Sequence, residues 1–264
     1  MNKVKKILRA CGMSMTMFCA IPMPFHSWDD KSRPLMTACL PVAGLEIGAV
    51  WALLCYILQR LTALSILPHA LAAGSFAVYP FLVTGFMHLD GFMDVTDAVK
   101  SCRDLERRRE ILKDSSVGAF AVIAVAIVLV MSFAASMSLS FKENIPVLIF
   151  IPILSRCCSA LAVTVLPTME TSQFSGRYRE GIKKSHVVSL CVTAVVVCVL
   201  AALICKVYAT VLAAVLLGYA AALGRAYKNL GGMNGDIAGY SLTISELCGV
   251  CAYALVTPVM NFLG

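Results

Sequence analysis

Long apolar segments are the feature of this sequence that most constrains its fold. A helix needs about 20 mostly apolar residues to cross a bilayer. At least six segments meet this requirement and a seventh comes close, so we expect about seven spans, at 35–58, 70–88, 117–139, 145–166, 187–205, 207–224 and 240–262. The sequence therefore predicts an all-α, polytopic integral membrane protein in which residues 1–264 form a single integral membrane domain.

The composition argues against a soluble protein. Hydrophobic residues make up 59% of the chain and charged residues 14%, whereas a typical soluble domain is about 45–50% apolar and about 25% charged. A soluble helical protein would also need helices with a polar face, and the segment 187–205 has almost no polar residues. The net charge of +7 would suggest nucleic acid as a partner of a soluble protein. Here we expect the lipid bilayer and no nucleic acid.

The positions of the basic residues predict the orientation in the membrane. Cytoplasmic loops carry an excess of Lys and Arg. If the N-terminus is cytoplasmic, all but four of the 22 Lys and Arg residues lie in cytoplasmic segments; Arg60, Lys142 and Lys206 fall in outer loops and Arg156 lies inside a span. We therefore expect a multi-pass membrane protein whose N-terminus and long polar segments, which carry the candidate chemistry, face the cytoplasm.

The N-terminal region combines four basic residues with a short apolar run, 10–23. This run is too short to cross a bilayer comfortably. A cleaved signal peptide would show a similar pattern, but we favour a retained helix that lies in the membrane interface.

The segment His88–Asp97 carries three aspartates at helical spacing. On a helix, Asp90, Asp94 and Asp97 fall within about 60° of one another, with apolar residues on the opposite face. The pattern predicts a cytoplasmic amphipathic helix. Like charges at this spacing repel each other, and a solvated face usually mixes signs, so we favour a metal site over a solvated acidic face. Mg²⁺ is bound by one or two carboxylates, waters and substrate phosphates.

Two polar segments are expected on the same side of the membrane as the aspartates. Asp114 or Ser115 could cap the next helix, and a helix N-terminus can also bind an anion. The glycine-rich segment 231–236 allows the backbone to approach a ligand closely. Asp236 would then cap the last span or join the metal site.

Arg156 is a charged residue inside a predicted span, and intramembrane charges are costly unless they have a function or a partner. Arg156 could bind a phosphate through two hydrogen bonds. The alternative is a structural ion pair with Glu46 or Glu246, which also lie within spans.

Taken together, these motifs resemble a known family. The pattern His88-x-Asp90-Gly91-x-x-Asp94-x-x-Asp97 is similar to the signature of cobalamin-5′-phosphate synthase, also called adenosylcobinamide-GDP ribazoletransferase. The resemblance continues in order through most of the chain, at Pro41, Gly44, Gly48, Arg103, Asp104, Lys113, Asp114, Ser115, Gly118, Arg156, 231–236, Gly239 and Glu246. Asn234 replaces the threonine usual in the family, and Phe174-Ser175-Gly176-Arg177 replaces Glu-Gly-x-Gly.

The resemblance implies a Mg²⁺-dependent transfer that is the last assembly step of cobalamin biosynthesis. A hydroxyl of α-ribazole, or of its 5′-phosphate, would attack the cobinamide-side phosphorus of adenosylcobinamide-GDP and release GMP. The candidate metal ligands are Asp90, Asp94 and Asp97, and the candidate catalytic residues are His88, Asp97 and Asp114. The candidate substrate-binding residues are Arg103, Ser115, Arg156, Gly232, Asn234 and Asp236. The resemblance also implies a location in the bacterial inner membrane with the active site in the cytoplasm, and assembly into a homo-oligomer stays open.

Two other functions fit part of the pattern. Membrane phosphotransferases of the CDP-alcohol type begin their motif Asp-Gly-x-x-Ala-Arg, but Asp94 and Val95 stand where the alanine and arginine would be. A divalent cation transporter would need carboxylates at midplane depth in broken helices, where we expect only Glu46 and Glu246. Both functions remain alternatives to the ribazoletransferase.

Overall fold

The described part of the chain is helical. A computed structural model describes residues 3–22, 28–140, 144–169 and 181–263, and no strand forms among them. The helices are α1 Lys3–Phe18, α2 Arg33–Ala38, α3 Leu40–Ala63, α4 His69–Val83, α5 Met87–Lys100, α6 Leu105–Ile111, α7 Ala119–Met137, α8 Val147–Val165, α9 Lys184–Cys205, α10 Val211–Leu230 and α11 Gly235–Leu263. The predicted all-α class is confirmed. Positions 174–177, where the sequence departs from the family pattern, lie outside the described residues.

The number of spans differs from the prediction. Five stretches are long and apolar enough to cross a membrane: α3, α7, α8, Lys184–Leu230 and Gly235–Met260. Two predicted spans merge in this count, because α9 and α10 are joined by a 3₁₀ turn, Lys206–Thr210, within one stretch of 47 residues. A sixth span is reached only if α4 and α5 together form one. The predicted number of about seven is not confirmed.

The predicted second span is broken by a sharp bend. α4 ends at Val83, and α5 starts at Met87 with its axis turned by 84°. Gly85 and Phe86 both have left-handed backbone conformations, with φ of 58° and 62°, and a non-glycine residue with positive φ is uncommon. Because of the bend, the acidic segment is a separate helix rather than the continuation of an apolar span.

α5 packs along α11 through two glycines. A Cβ on Gly91 would lie 2.9 Å from the Cα of Asp236, and one on Gly239 would lie 3.2 Å from the Cα of His88. Thr243 also donates its hydroxyl to the backbone carbonyl of His88, at 3.1 Å. As α5 advances it meets earlier residues of α11, so the two helices run antiparallel.

α8 lies at the centre of the bundle and packs against α3, α9, α10 and α11. Its contact with α3 is a close backbone approach, since a Cβ on Gly44 or Gly48 would lie 2.6 or 2.7 Å from α8 backbone atoms. These glycines belong to the Pro41-x-x-Gly44-x-x-x-Gly48 element of the sequence. The motif therefore has a packing role in this fold.

The N-terminal region is helical, as predicted. One face of α1 buries Ala10 and Met13, while Val4 and Leu8 are exposed at 59% and 66%. α1 packs against α2 and α3. An exposed apolar edge beside basic residues is typical of a helix that lies in a membrane interface.

Candidate active site

A cavity of about 700 Å³ lies where α5, α6, α8 and the start of α11 meet. One wall carries the carboxylates of Asp90 and Asp236, and another carries the cations of Arg109 and Lys113. Much of the remaining lining is apolar and includes Met17, Phe18, Leu112, Val163, Met169 and Leu242. A cavity with a mainly apolar lining and a few convergent charged groups is typical of a ligand site.

The acidic wall comes from two helices. The close approach of Gly91 to Asp236 brings the face of α5 that carries Asp90 to the first turn of α11. Asp94 lies one helical turn further along α5 and does not line the cavity. Burial raises the pKa of Asp94 to about 6, and the negative charges of Asp90, Asp236 and Asp97 add to this effect. The site therefore concentrates negative charge that a cation would neutralise.

Asp97 points to a different partner. Its carboxylate accepts hydrogen bonds from the backbone N–H of Gly118 at 2.6 Å and of Ala121 at 2.8 Å. These are donors at the N-terminus of α7, where a carboxylate is stabilised by the unpaired N–H groups and by the helix dipole. Asp97 thus fixes the end of α5 to the start of α7.

The three predicted metal ligands do not converge on one point. Across the described ranges, no group of three or more His, Cys, Asp or Glu residues is arranged to hold a metal ion. Mg²⁺ usually takes only one or two protein carboxylates and keeps several waters. Asp90, Asp94 and Asp236 provide hard oxygen ligands without a basic partner within 4.0 Å in the described part of the chain. Their chemistry therefore fits Mg²⁺.

Asp114, Ser115 and Arg103 are exposed and do not line the cavity. Asp114 accepts a hydrogen bond from the Ser116 backbone N–H at 2.9 Å, and this bond to the ionised form lowers the pKa of Asp114. The interpretation of Asp114 or Ser115 as the N-cap of the next helix is wrong. α7 begins at Ala119, after several non-helical residues, and its N-terminal N–H groups bond to Asp97 instead.

Arg156 is fully buried and forms an ion pair with Glu246. Ser155 donates its hydroxyl to the same carboxylate at 2.8 Å. Of the two sequence-based interpretations, the structure thus contains the ion pair, with Glu246 rather than Glu46. Arg156 does not line the cavity.

His88 lines the cavity. It also lines a second space of about 30 Å³, together with Thr243 and Glu246, which is large enough to hold a water molecule. Its Nε2 is buried and has no hydrogen-bond partner among the described residues. Of the three predicted catalytic residues, His88 is the one that lines the main cavity.

The glycine-rich segment before α11 orients Asp236. Asn234 accepts a hydrogen bond from the Ile237 N–H at 2.9 Å and donates its amide to Asp236 at 2.6 Å. It therefore acts as a helix cap, which asparagine and threonine can both do. Gly232 packs behind the cavity, because a Cβ there would lie 2.7 Å from the backbone nitrogen of Met169.

Arg109 and Lys113 line the cavity but were not predicted as site residues. Lys113 belongs to a motif of the family resemblance, whereas Arg109 served only to predict membrane orientation. Their spacing of four residues places them on one face if α6 continues toward Lys113, and this was the available signal. Arg109 also donates to the carbonyls of Leu230 at 2.9 Å and Gly231 at 3.1 Å, a contact across 121 residues of sequence that periodicity cannot reveal.

Comparison with known proteins gives a consistent result. The family model described as cobalamin-5-phosphate synthase matches residues 10–254. A relative from Clostridium botulinum named adenosylcobinamide-GDP ribazoletransferase is 35% identical over 96% of this chain and 100% of its own length. Relatives of the same name are 36% identical in Clostridium perfringens, over 96% and 100%, and 30% identical in Listeria monocytogenes, over 94% and 98%. No solved structure matches.

Proposed function

The chain belongs to the cobalamin-5-phosphate synthase family, and we propose that it performs its reaction in the cavity between α5, α6, α8 and α11. It is a transferase of cobalamin biosynthesis with adenosylcobinamide-GDP ribazoletransferase activity. The resemblance found in the sequence is thus confirmed, and this family is neither the CDP-alcohol phosphotransferases nor the cation transporters. The observation that carries the location is the set of carboxylates of α5 and α11 at the cavity wall.

The relatives' names imply adenosylcobinamide-GDP as the donor substrate and ribazole as the acceptor. We propose that a hydroxyl of α-ribazole, or of its 5′-phosphate, attacks the phosphorus on the cobinamide side of the pyrophosphate. The new P–O bond forms as the P–O bond to GMP breaks, and GMP leaves with the electron pair. The hydroxyl proton passes to a base of the protein.

Mg²⁺ is the cation that we propose for the acidic wall. One or two of the carboxylates of Asp90, Asp94 and Asp236 would bind it directly, and the rest would act through its waters. Asp97 would also act through a water, since its carboxylate already accepts hydrogen bonds from the start of α7. A bound Mg²⁺ supplies positive charge to the phosphate oxygens of the donor and of the leaving GMP. The carboxylates of α5 and α11 fix the position of that charge relative to the attacking hydroxyl.

His88 is the general base that the geometry favours. A base must come within hydrogen-bond reach of the proton that it removes, and His88 lines the cavity. Asp97 is already bonded to the start of α7, and Asp114 lies outside the cavity lining. Asn234 and Asp236 lie on the α11 side of the cavity, where they would contact the substrate.

The charge distribution supports a location in the inner membrane with the cavity on the cytoplasmic side. The basic residues of α1 and α6 lie in segments that the positive-inside pattern assigns to the cytoplasm. Nucleotide-linked substrates would then reach the cavity without crossing the bilayer.

The function is tested with the full chain purified and reconstituted in liposomes. Adenosylcobinamide-GDP and α-ribazole are supplied, and released GMP is measured with Mg²⁺ or with excess EDTA. Asp94→Asn should abolish GMP release while the protein still inserts and elutes as the wild type does. Asp104→Asn is the matched control, since Asp104 caps α6 by accepting from the Arg107 N–H and asparagine caps as well as aspartate. Full activity in EDTA, or in Asp94→Asn, would contradict the metal assignment.

A further inference from the structure

We infer that Arg109 and Lys113 bind the phosphates of a nucleoside-diphosphate-linked substrate inside the cavity. The inference rests on the proposed function and adds to it the residues that recognise the donor. Arg103 and Arg156 were the phosphate-binding candidates from the sequence, but neither lines the cavity. Within the described ranges, Arg109 and Lys113 are the arginine and lysine residues of its lining.

The two cations differ from their neighbours on α6. Arg107 is exposed and pairs with Glu110, at 2.6 Å between Nη1 and Oε2. Arg108 donates to the carbonyl and the side chain of Asn229 and does not line the cavity. Arg107 and Arg108 thus bind other groups of the protein. Arg109, near the end of α6, and Lys113, just after it, face the cavity.

Arg109 is held in place before any ligand arrives. Its Nε and Nη2 donate to the carbonyls of Leu230 and Gly231, which leaves Nη1 without a hydrogen-bond partner in the described part of the chain. A guanidinium has five N–H donors in a planar fork, so the remaining donors can bind a phosphate oxygen at little further entropic cost. The bonds to the Gly231 segment also fix the cation relative to Asp236.

Lys113 adds a second positive charge whose position can change, in contrast to the fixed guanidinium of Arg109. Its side chain is exposed at the cavity, and no ion pair to it occurs among the described residues. A lysine ammonium is a point charge on a flexible stem. One rigid and one mobile cation can therefore follow two phosphates whose positions change as the bond to the nucleotide breaks.

The cavity keeps its opposite charges apart. No ion pair within 4.0 Å joins Arg109 or Lys113 to Asp90 or Asp236 in the described part of the chain. Charges facing a partly desolvated space are costly when they are unpaired. A diphosphate with its divalent cation neutralises both sets of charges. Its phosphate oxygens bind Arg109 and Lys113, and the metal ion binds the carboxylates.

The test compares Lys113→Met with Arg107→Met in the reconstituted full chain. Each change removes one positive charge near α6, but only the first removes it from the cavity. Equilibrium dialysis measures binding of GMP and of guanosine, which lacks the phosphate. We expect Lys113→Met to weaken GMP binding about tenfold to a hundredfold, the range for hydrogen bonds to charged groups, and to leave guanosine binding unchanged. Arg107→Met should bind both as the wild type does.

Arg109→Lys gives an independent measurement. It keeps the charge and loses the planar fork, so GMP binding should fall by less than in Arg109→Met. Wild-type GMP binding in Lys113→Met, or equal losses of GMP and guanosine binding, would overturn the inference. Dialysis needs no turnover, so these outcomes are distinct from a failure of the proposed function, in which the wild type would release no GMP from adenosylcobinamide-GDP.

Discussion

We expect Gly91→Ala to reduce the catalytic rate strongly and the free energy of unfolding only slightly. A Cβ at this position would lie 2.9 Å from both the Cα and the carbonyl oxygen of Asp236. Carbon atoms in favourable contact are about 3.5–4.0 Å apart, so α5 and α11 must separate by roughly 0.6–1 Å. Such overpacking costs about 1–3 kcal/mol, and the higher helix propensity of alanine returns about 1 kcal/mol. The net loss of unfolding free energy is therefore small.

The loss of activity should be much larger. The shift moves Asp90 and Asp236, which sit on the two separating helices, relative to each other. A misplacement of about 1 Å can cost roughly 100-fold in rate. We expect kcat for GMP release to fall by about this factor, with a smaller change in the midpoint of thermal unfolding in the same detergent.

Two other glycines make the experiment a graded series. Gly239→Ala should have an intermediate effect, since its Cβ would lie 3.2 Å from the Cα and the carbonyl oxygen of His88. Gly224→Ala should leave kcat unchanged, because nothing lies within 4 Å of its Cβ. Equal kcat values for Gly91→Ala and Gly224→Ala would refute the reasoning that the α5–α11 spacing sets the site.

Two further predictions concern buried and capping charges. Arg156→Met should reduce the free energy of unfolding by about 3–5 kcal/mol, because it leaves the Glu246 carboxylate buried without its partner. Adding Glu246→Gln should restore part of this loss, and denaturant titrations of both variants in detergent measure the difference. Asp97→Ala should cost about 0.5–2 kcal/mol through the lost cap of α7, and Asp97→Asn less, since an amide oxygen still accepts a hydrogen bond. Hydrogen exchange at Gly118 and Ala121 should rise in the alanine variant; unchanged exchange would contradict the capping role.

Local periodicity was enough to predict α5. The spacing of Asp90, Asp94 and Asp97 and the apolar residues between them gave an amphipathic helix, and the structure has one at Met87–Lys100. The helix ends at Lys100, because Cys102 adopts a left-handed conformation, with φ of 53°, and Asp104 caps α6. A helical pattern in the sequence does not reveal where the backbone stops being helical.

Contacts between distant segments could not be predicted in the same way. Hydropathy measures length and composition, so it did not show the bend at Gly85 and Phe86. The choice of Glu246 over Glu46 as the partner of Arg156 depends on how α8 packs against α11. The sequence offered both partners, and only the packing decides between them.

The acidic helix is held against its own electrostatic repulsion by packing at three points. It starts at the left-handed Phe86, crosses α11 at Gly91 and ends on α7 through Asp97. Each like-charge pair at helical spacing costs about 0.2–0.5 kcal/mol. Truncating a buried phenylalanine such as Phe92, which is 5% exposed, would cost about 3–5 kcal/mol. Packing therefore outweighs the repulsion, and the carboxylates stay together at the cavity, where a cation bound with the substrate can neutralise them.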